Sequence, residues 1–255
     1  MDLDRELIEK LGQISIEIQT LIQQSKDKHL ENYKENEGDA LSSFRFLLDA
    51  TMSYVSLQFR EKIENITEKQ SYQLTISLSV IQSHFIINDL ILGGNIIEAS
   101  TLTRKQLENL TRLHELEKTP LAKLLKKTPN VYNTFRKFAK KIYTDLSEVA
   151  HFGTPRVSAL MGHSESSDGR VGPPLFPEYS QQSIETYKNH AAISTLFIDW
   201  IIIFAEKMYS EKHIYKEIND LLVSNLFFQA FASGVLIIKE DDNKHDSTDD
   251  KNTST

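Results

Sequence analysis

The sequence contains no cysteine. That absence excludes disulfide stapling, thiolate nucleophiles and cysteine-held metals, and it is compatible with a reducing, cytoplasmic location. Basic charge is in deficit too. Lysine and arginine number 29 against 36 acidic residues, for a formal net charge of -7, which favours solubility and argues against a strongly basic nucleic-acid binder. No unbroken apolar stretch follows the charged start MDLDRELIEK, so no signal peptide is expected. Two later apolar runs invite a membrane check. AISTLFIDWIIIFA carries Asp199 near its centre, and the run from Leu221 to Ile238 contains Asn225 and Gln229. Both read as buried bundle helices, and no stable membrane span is expected.

Strand-like alternation is also scarce, and no internal repeat stands out. The apolar residues recur instead at helical spacing. Leu7, Leu11, Ile14, Ile18, Leu21 and Ile22 form a stripe in a first helix over about residues 3–32. ENEGDALSSF marks a break, with Asp39 as a cap for a second helix reaching about Asn65. A third helix starts near Glu68 and closes at the Gly93-Gly94 pair, and a fourth runs from Asn95 to about Glu117. LAKLLKK, bracketed by Pro120 and Pro129, is a short helical piece before a long helix from about Asn130 to Ala150.

Residues 152–180 then hold Gly-Thr-Pro, Asp-Gly and Gly-Pro-Pro without a sustained period, the pattern of a long irregular loop. Helices over about Ser183–Tyr209 and Lys212–Ile238 complete the expected fold: one all-α multi-helix bundle of about six or seven helices over residues 1–238. Residues 239–255 hold three lysines, six acidic residues and no apolar side chain, so a disordered acidic tail is expected.

Candidate functional residues gather on two helices. On a helical wheel, Val131, Phe135, Phe138, Ile142, Leu146 and Val149 make one core stripe, while Ser147 and His151 share the opposite side. That pair is either a solvent-facing helix end, with the histidine at the negative end of the macrodipole, or one wall of a polar cleft. The preceding helix places Arg104, Glu108 and Glu115 together, with Arg112 at the edge of that face. Arg104–Glu108 and Glu108–Arg112 are i,i+4 pairs, which read either as surface ion pairs or as a positioned polar face between helices.

Metal and nucleophile chemistry find less support. Glu148-x-x-His151 is a single Glu-x-x-His unit where a di-metal bundle needs two, so neither a metal nor another cofactor is expected. Serine and histidine four apart on a helix supply neither a nucleophile elbow nor an oxyanion hole. From Lys118 to Thr144, however, eight lysines and arginines occur with no acidic residue. Arg136, Lys137, Lys140 and Lys141 within this strip are candidate phosphate contacts, the alternative being a solvated face that offsets acidic helices elsewhere.

GGNIIEASTLTRKQLEN followed by YTDLSEVAHFG resembles a group of bacterial all-helical proteins in which an Arg-x-x-x-Glu helix precedes a Leu-Ser-x-x-x-His helix end. The group is distantly similar to the HEPN superfamily of helical nucleotide-binding and ribonuclease domains of defence and toxin systems. The resemblance covers about residues 70–210. It implies a ligand-binding or polar cleft formed by Arg104, Glu108, Ser147 and His151, with RNA or a nucleotide as partner. Ribonuclease members use arginine, a polar residue, then histidine after four to six intervening residues. The one fit is Arg156 to His163 in RVSALMGH, where Val157 replaces the polar residue. Arg156, His163 and His151 are therefore the catalytic candidates for a metal-independent ribonuclease. The competing reading is a non-catalytic interaction or structural subunit, with the late apolar helices as a homodimer face.

Overall fold

The clearest local signal in the chain is at Thr67. Its hydroxyl accepts from the Gln70 backbone N–H, and the Gln70 side chain accepts from the Thr67 N–H, a reciprocal cap that starts a helix. In the computed structural model this helix is α3, Glu68–Leu92. The structure describes residues 5–59, 62, 65–151, 153, 157, 160, 161, 164, 165, 169, 171, 172, 174–209 and 216–237; the side chains of 136–140, 164, 165, 171 and 216 lie outside that description.

The described chain is all-α. Seven long helices, α1 (Arg5–Glu37), α2 (Asp39–Gln58), α3, α4 (Ile96–Lys118), α6 (Val131–Ala150), α7 (Gln182–Met208) and α8 (Lys216–Ala232), are joined by the one-turn α5 (Leu121–Leu124). Inside the region expected to be irregular, two-residue strands β1 (Ser164–Glu165) and β2 (Val171–Gly172) pair antiparallel, with Ser164 opposite Gly172.

Glycine sets two of the helix junctions. Gly38, at φ 73°, is all that separates α1 from α2, so the expected break is narrower than ENEGDALSSF and α1 runs on to Glu37. Asp39 is the first residue of α2 and not its cap. Gly93 and Gly94 turn the chain between α3 and α4, with Gly94 at φ 78°, a region L-side chains avoid. α2 ends at Gln58, short of the expected Asn65.

α7 lies at the centre of the bundle. It packs against α1, α2, α3, α4 and α8, and buries Tyr187, Phe197, Ile198 and Ile201 completely. Its Trp200 Nε1 donates to Glu117 Oε1 of α4 at 2.8 Å. The run around Asp199 is thus a core helix. Among the described residues α3 alone is long and apolar enough to cross a membrane, and within the fold it packs against α1, α2, α4 and α7. The acidic tail expected at 239–255 lies outside the described residues.

Candidate functional site

α6 runs back along α4. Three cross-helix contacts mark the antiparallel register: the Asn130 N–H donates to Glu115 Oε1 at 2.8 Å, the Tyr143 hydroxyl donates to Glu108 Oε1 at 3.0 Å, and Arg104 Nη1 meets His151 Nε2 at 2.7 Å. α6 takes this position because its apolar stripe turns inward. Val131 and Leu146 are buried, and Phe135 and Ile142 pack against the core from partly buried positions. Phe138 belongs to the same stripe on the wheel, but its side chain lies outside the description. Asn130 caps the helix by accepting from the Asn133 N–H at 3.1 Å.

The upper end of this helix pair holds a polar cluster built on Arg104. Its Nε donates to Glu108 Oε1 at 3.1 Å and its Nη2 to the Tyr143 hydroxyl at 3.3 Å. Its guanidinium carbon lies 5.3 Å from the centroid of the Tyr143 ring, within cation–π reach. Glu108 Oε1 thus accepts from two donors at once, and the planar guanidinium is fixed by three separate groups. Partial burial works against the charge of Arg104. The Tyr143 hydrogen bond and the Glu108 carboxylate outweigh it, so the pKa moves up and the group stays cationic.

A guanidinium N–H can only donate, so His151 Nε2 accepts and the imidazole carries its proton on Nδ1. His151 is exposed at the C-cap of α6. The cluster therefore presents to solvent an imidazole N–H donor beside a cation whose geometry is fixed in advance. That chemistry suits an oxyanion.

Arg104, Glu108 and His151 come together as one group. Ser147 does not join it: its hydroxyl donates back to the Tyr143 carbonyl at 2.6 Å, the i−4 bond common for serine within helices. The Glu108–Arg112 pair is also replaced. Arg112 is buried, its Nη1 lies 3.1 Å from Glu115 Oε2, and its Nη2 donates to the Lys127 carbonyl. Lys141 is exposed on α6, whereas the side chains of Arg136, Lys137 and Lys140 lie outside the description. Arg156 and His163 also fall outside the described residues. Lys118, Lys123, Lys126 and Lys127 of the basic strip are exposed.

Sequence reasoning missed Tyr143, which ties arginine to glutamate. On the α6 wheel it falls between the apolar stripe and the Ser147/His151 side, where a tyrosine can pack its ring and still offer its hydroxyl. That boundary position was the available signal.

A second polar cluster is largely buried in the bundle, with Asp49 partly exposed at its edge. His84 Nε2 lies 3.0 Å from Asp49 Oδ1, and its Nδ1 lies 3.1 Å from Ser194 Oγ. Asn88 donates to the same Asp49 oxygen at 2.7 Å. The ring of His190 lies 4.9 Å from that of His84, and its Nδ1 bonds Gln106 Oε1 at 2.9 Å. Burial, followed by the neighbouring His84, pushes the pKa of His190 well down and keeps it neutral. Acid, imidazole and hydroxyl resemble a hydrolytic triad in composition. Yet His84 and Ser194 have no exposed surface, so no substrate carbonyl can reach the hydroxyl, and the cluster orders the core. Among the described residues no three of His, Asp and Glu gather as metal ligands.

No family model, curated protein or solved structure matches this chain.

Proposed function

We propose that the chain is a HEPN-like helical domain that binds a phosphate of RNA or of a nucleotide at the Arg104–His151 joint, in the cytoplasm of a bacterial cell and within a defence or toxin system. The single observation that carries this reading is the 2.7 Å contact between Arg104 Nη1 and the exposed His151, with Arg104 fixed from behind by Glu108 and Tyr143. A polyanion crossing the joint can place one phosphate on the imidazole N–H, at the far side of the ring. A neighbouring phosphate then meets the remaining N–H groups of a guanidinium that has little side-chain freedom left to lose. Glu108 offsets part of the arginine charge, so affinity for free inorganic phosphate is weak. Affinity rises for a polyanion that also engages exposed lysines such as Lys141.

The test is fluorescence anisotropy of a labelled single-stranded RNA and of a labelled ATP analogue, at two salt concentrations. His151→Ala leaves the helix contacts intact, because the side chain is exposed, and weakens binding about tenfold. Tyr143→Phe keeps the ring and removes the hydroxyl, loosening Arg104, and weakens binding by about threefold to tenfold. Failure of the wild-type protein to bind either probe, or unchanged binding by His151→Ala, overturns the proposal. RNA cleavage in the presence of a chelator, lost in His151→Ala, replaces binding by the metal-independent ribonuclease reading.

A further inference from the structure

Every residue of α1 from position 5 to position 21 is exposed, and the first buried side chain of the helix is His29. Among the described residues the helix is anchored only at its C-terminal end, where His29 bonds the Ile91 carbonyl and Tyr33 is wholly buried. Its first five turns project from the bundle for roughly 25 Å. A lone helix of that length is marginal in water, and Gly12 weakens it further.

The projecting part is nevertheless strongly patterned. Leu7, Leu11, Ile14, Ile18 and Leu21 recur at alternating spacings of four and three, the seam of a coiled coil, and are 38–53% exposed. We propose that this segment pairs with the same segment of a second copy of the chain, as a short antiparallel coiled coil.

The charges select both the partner and the direction. Lys10 and Glu17 occupy equivalent positions one heptad apart beside the seam, and among the described residues neither has an ion-pair partner in its own chain. In the antiparallel register that sets Leu11 on Ile14 of the second copy and Leu7 on its Ile18, Lys10 faces Glu17 of that copy. Two-fold symmetry then forms every layer and the Lys10–Glu17 ion pair twice. In a parallel pair Lys10 faces Ser15 and Glu17 faces Ile22, and neither charge is answered.

Steric placement agrees. Antiparallel pairing centres between residues 12 and 13 and puts the two bundles at opposite ends, whereas parallel pairing drives them together from about residue 22 onward. A lipid surface is a poorer occupant. Residues 5–24 carry two basic and three acidic side chains, where an interfacial helix has a lysine- and arginine-rich polar face.

Sedimentation equilibrium of the full chain over about 1 to 100 µM tests the pairing. The expected mass rises from 29.3 kDa toward twice that value. Ile14→Glu, at a position exposed in the single chain, stays monomeric and keeps the cooperative unfolding of the bundle, losing helicity only from the unpaired segment. Lys10→Glu and Glu17→Lys each raise the dissociation constant by about tenfold, and the double variant restores it, because each reversed charge again meets its opposite. A wild-type protein monomeric throughout overturns the proposal. So does an Ile14→Glu variant that remains dimeric, which points instead to the exposed apolar side chains of α8, Leu221 and Phe228. A double variant no better than the singles overturns the antiparallel register.

Discussion

Gly94 and Gly38 both have positive φ but differ in what a Cβ would meet, and alanine at each position tests the contact at Gly94. Their φ angles are 78° and 73°, and Gly38 combines this with ψ 155°, a region occupied almost solely by glycine. An L-residue in such a conformation costs about 1–3 kcal/mol relative to glycine. The entropy removed from the unfolded chain is the same for both substitutions and cancels in the comparison. A Cβ at Gly38 would meet nothing within 4 Å. A Cβ at Gly94 would lie 2.6 Å from Pro177 Cβ and 2.9 Å from His29 Nδ1. Neither neighbour yields easily: one belongs to a proline ring, and the other to an imidazole held on the Ile91 carbonyl and packed beside Tyr33 and Tyr179. Such a clash adds about 1–3 kcal/mol. Gly38→Ala is therefore expected to cost about 1–3 kcal/mol and Gly94→Ala about 2–6 kcal/mol. For a chain of this size each kcal/mol lowers the midpoint temperature by about 2–4 °C. The only tryptophan, Trp200, is buried in α7, so its fluorescence reports urea unfolding directly. A loss at Gly94 below about 2 kcal/mol, the least that strain and clash together allow, would refute the close approach of the 177 segment to the α3–α4 turn.

Two further outcomes follow from the buried ionisable groups. Arg45 donates to both carboxylate oxygens of Glu37, at 2.7 and 2.9 Å, with the Glu37 side chain 1% exposed and that of Arg45 20% exposed. Arg45→Met strands a buried carboxylate and is expected to cost about 3–5 kcal/mol, whereas Glu37→Gln leaves an arginine nearer to solvent and costs about 1–3 kcal/mol; urea midpoints check the order, and a reversed order contradicts it. Burial lowers the pKa of His29 despite bonds to the Ile91 and Glu178 backbone, and lowers that of His190 further. Below about pH 6.5 the unfolded imidazoles take up protons that the folded ones refuse. Stability is therefore complete above that pH and declines as pH falls, by up to about 1.4 kcal/mol per unit for each histidine. Urea midpoints that stay level from about pH 7.5 to 5.5 would show that these imidazoles titrate alike in both states.

The apolar period located the long helices because each carries at least one face that must be buried. Val131, Phe135, Ile142 and Leu146 were legible from spacing alone and do turn inward. Arg112 was misread for a reason of the same kind. Placed at the edge of a polar face, it is drawn inside by Glu115 and by the Lys127 carbonyl, and the latter's position depends on how α5 folds back. A helical wheel contains no such information. Helix ends were less legible than helix existence. α2 stops at Gln58, and the expected start of α8 at Lys212 falls outside the described residues, with the helix described from Lys216.

The polar residues of α3 and α7 explain the remaining gap, and they also bear on where function can reside. His84, Asn88 and Ser194 occupy interior positions joined by hydrogen bonds through His84 and Asp49, and His190 bonds Gln106 beside them. Sequence spacing cannot distinguish such residues from polar residues facing water. The interior cluster and the α4–α6 joint draw on similar side chains: a carboxylate, an imidazole and a hydroxyl. Solvent access separates them. His84 and Ser194 are closed off completely, so their polarity can only fix how the helices register. His151 is open, and its partner Arg104 is already oriented by groups that face inward. Recognition of an external anion requires both properties at once, an accessible donor and a rigid support behind it, and the α4–α6 joint combines them where the buried His84 and Ser194 cannot.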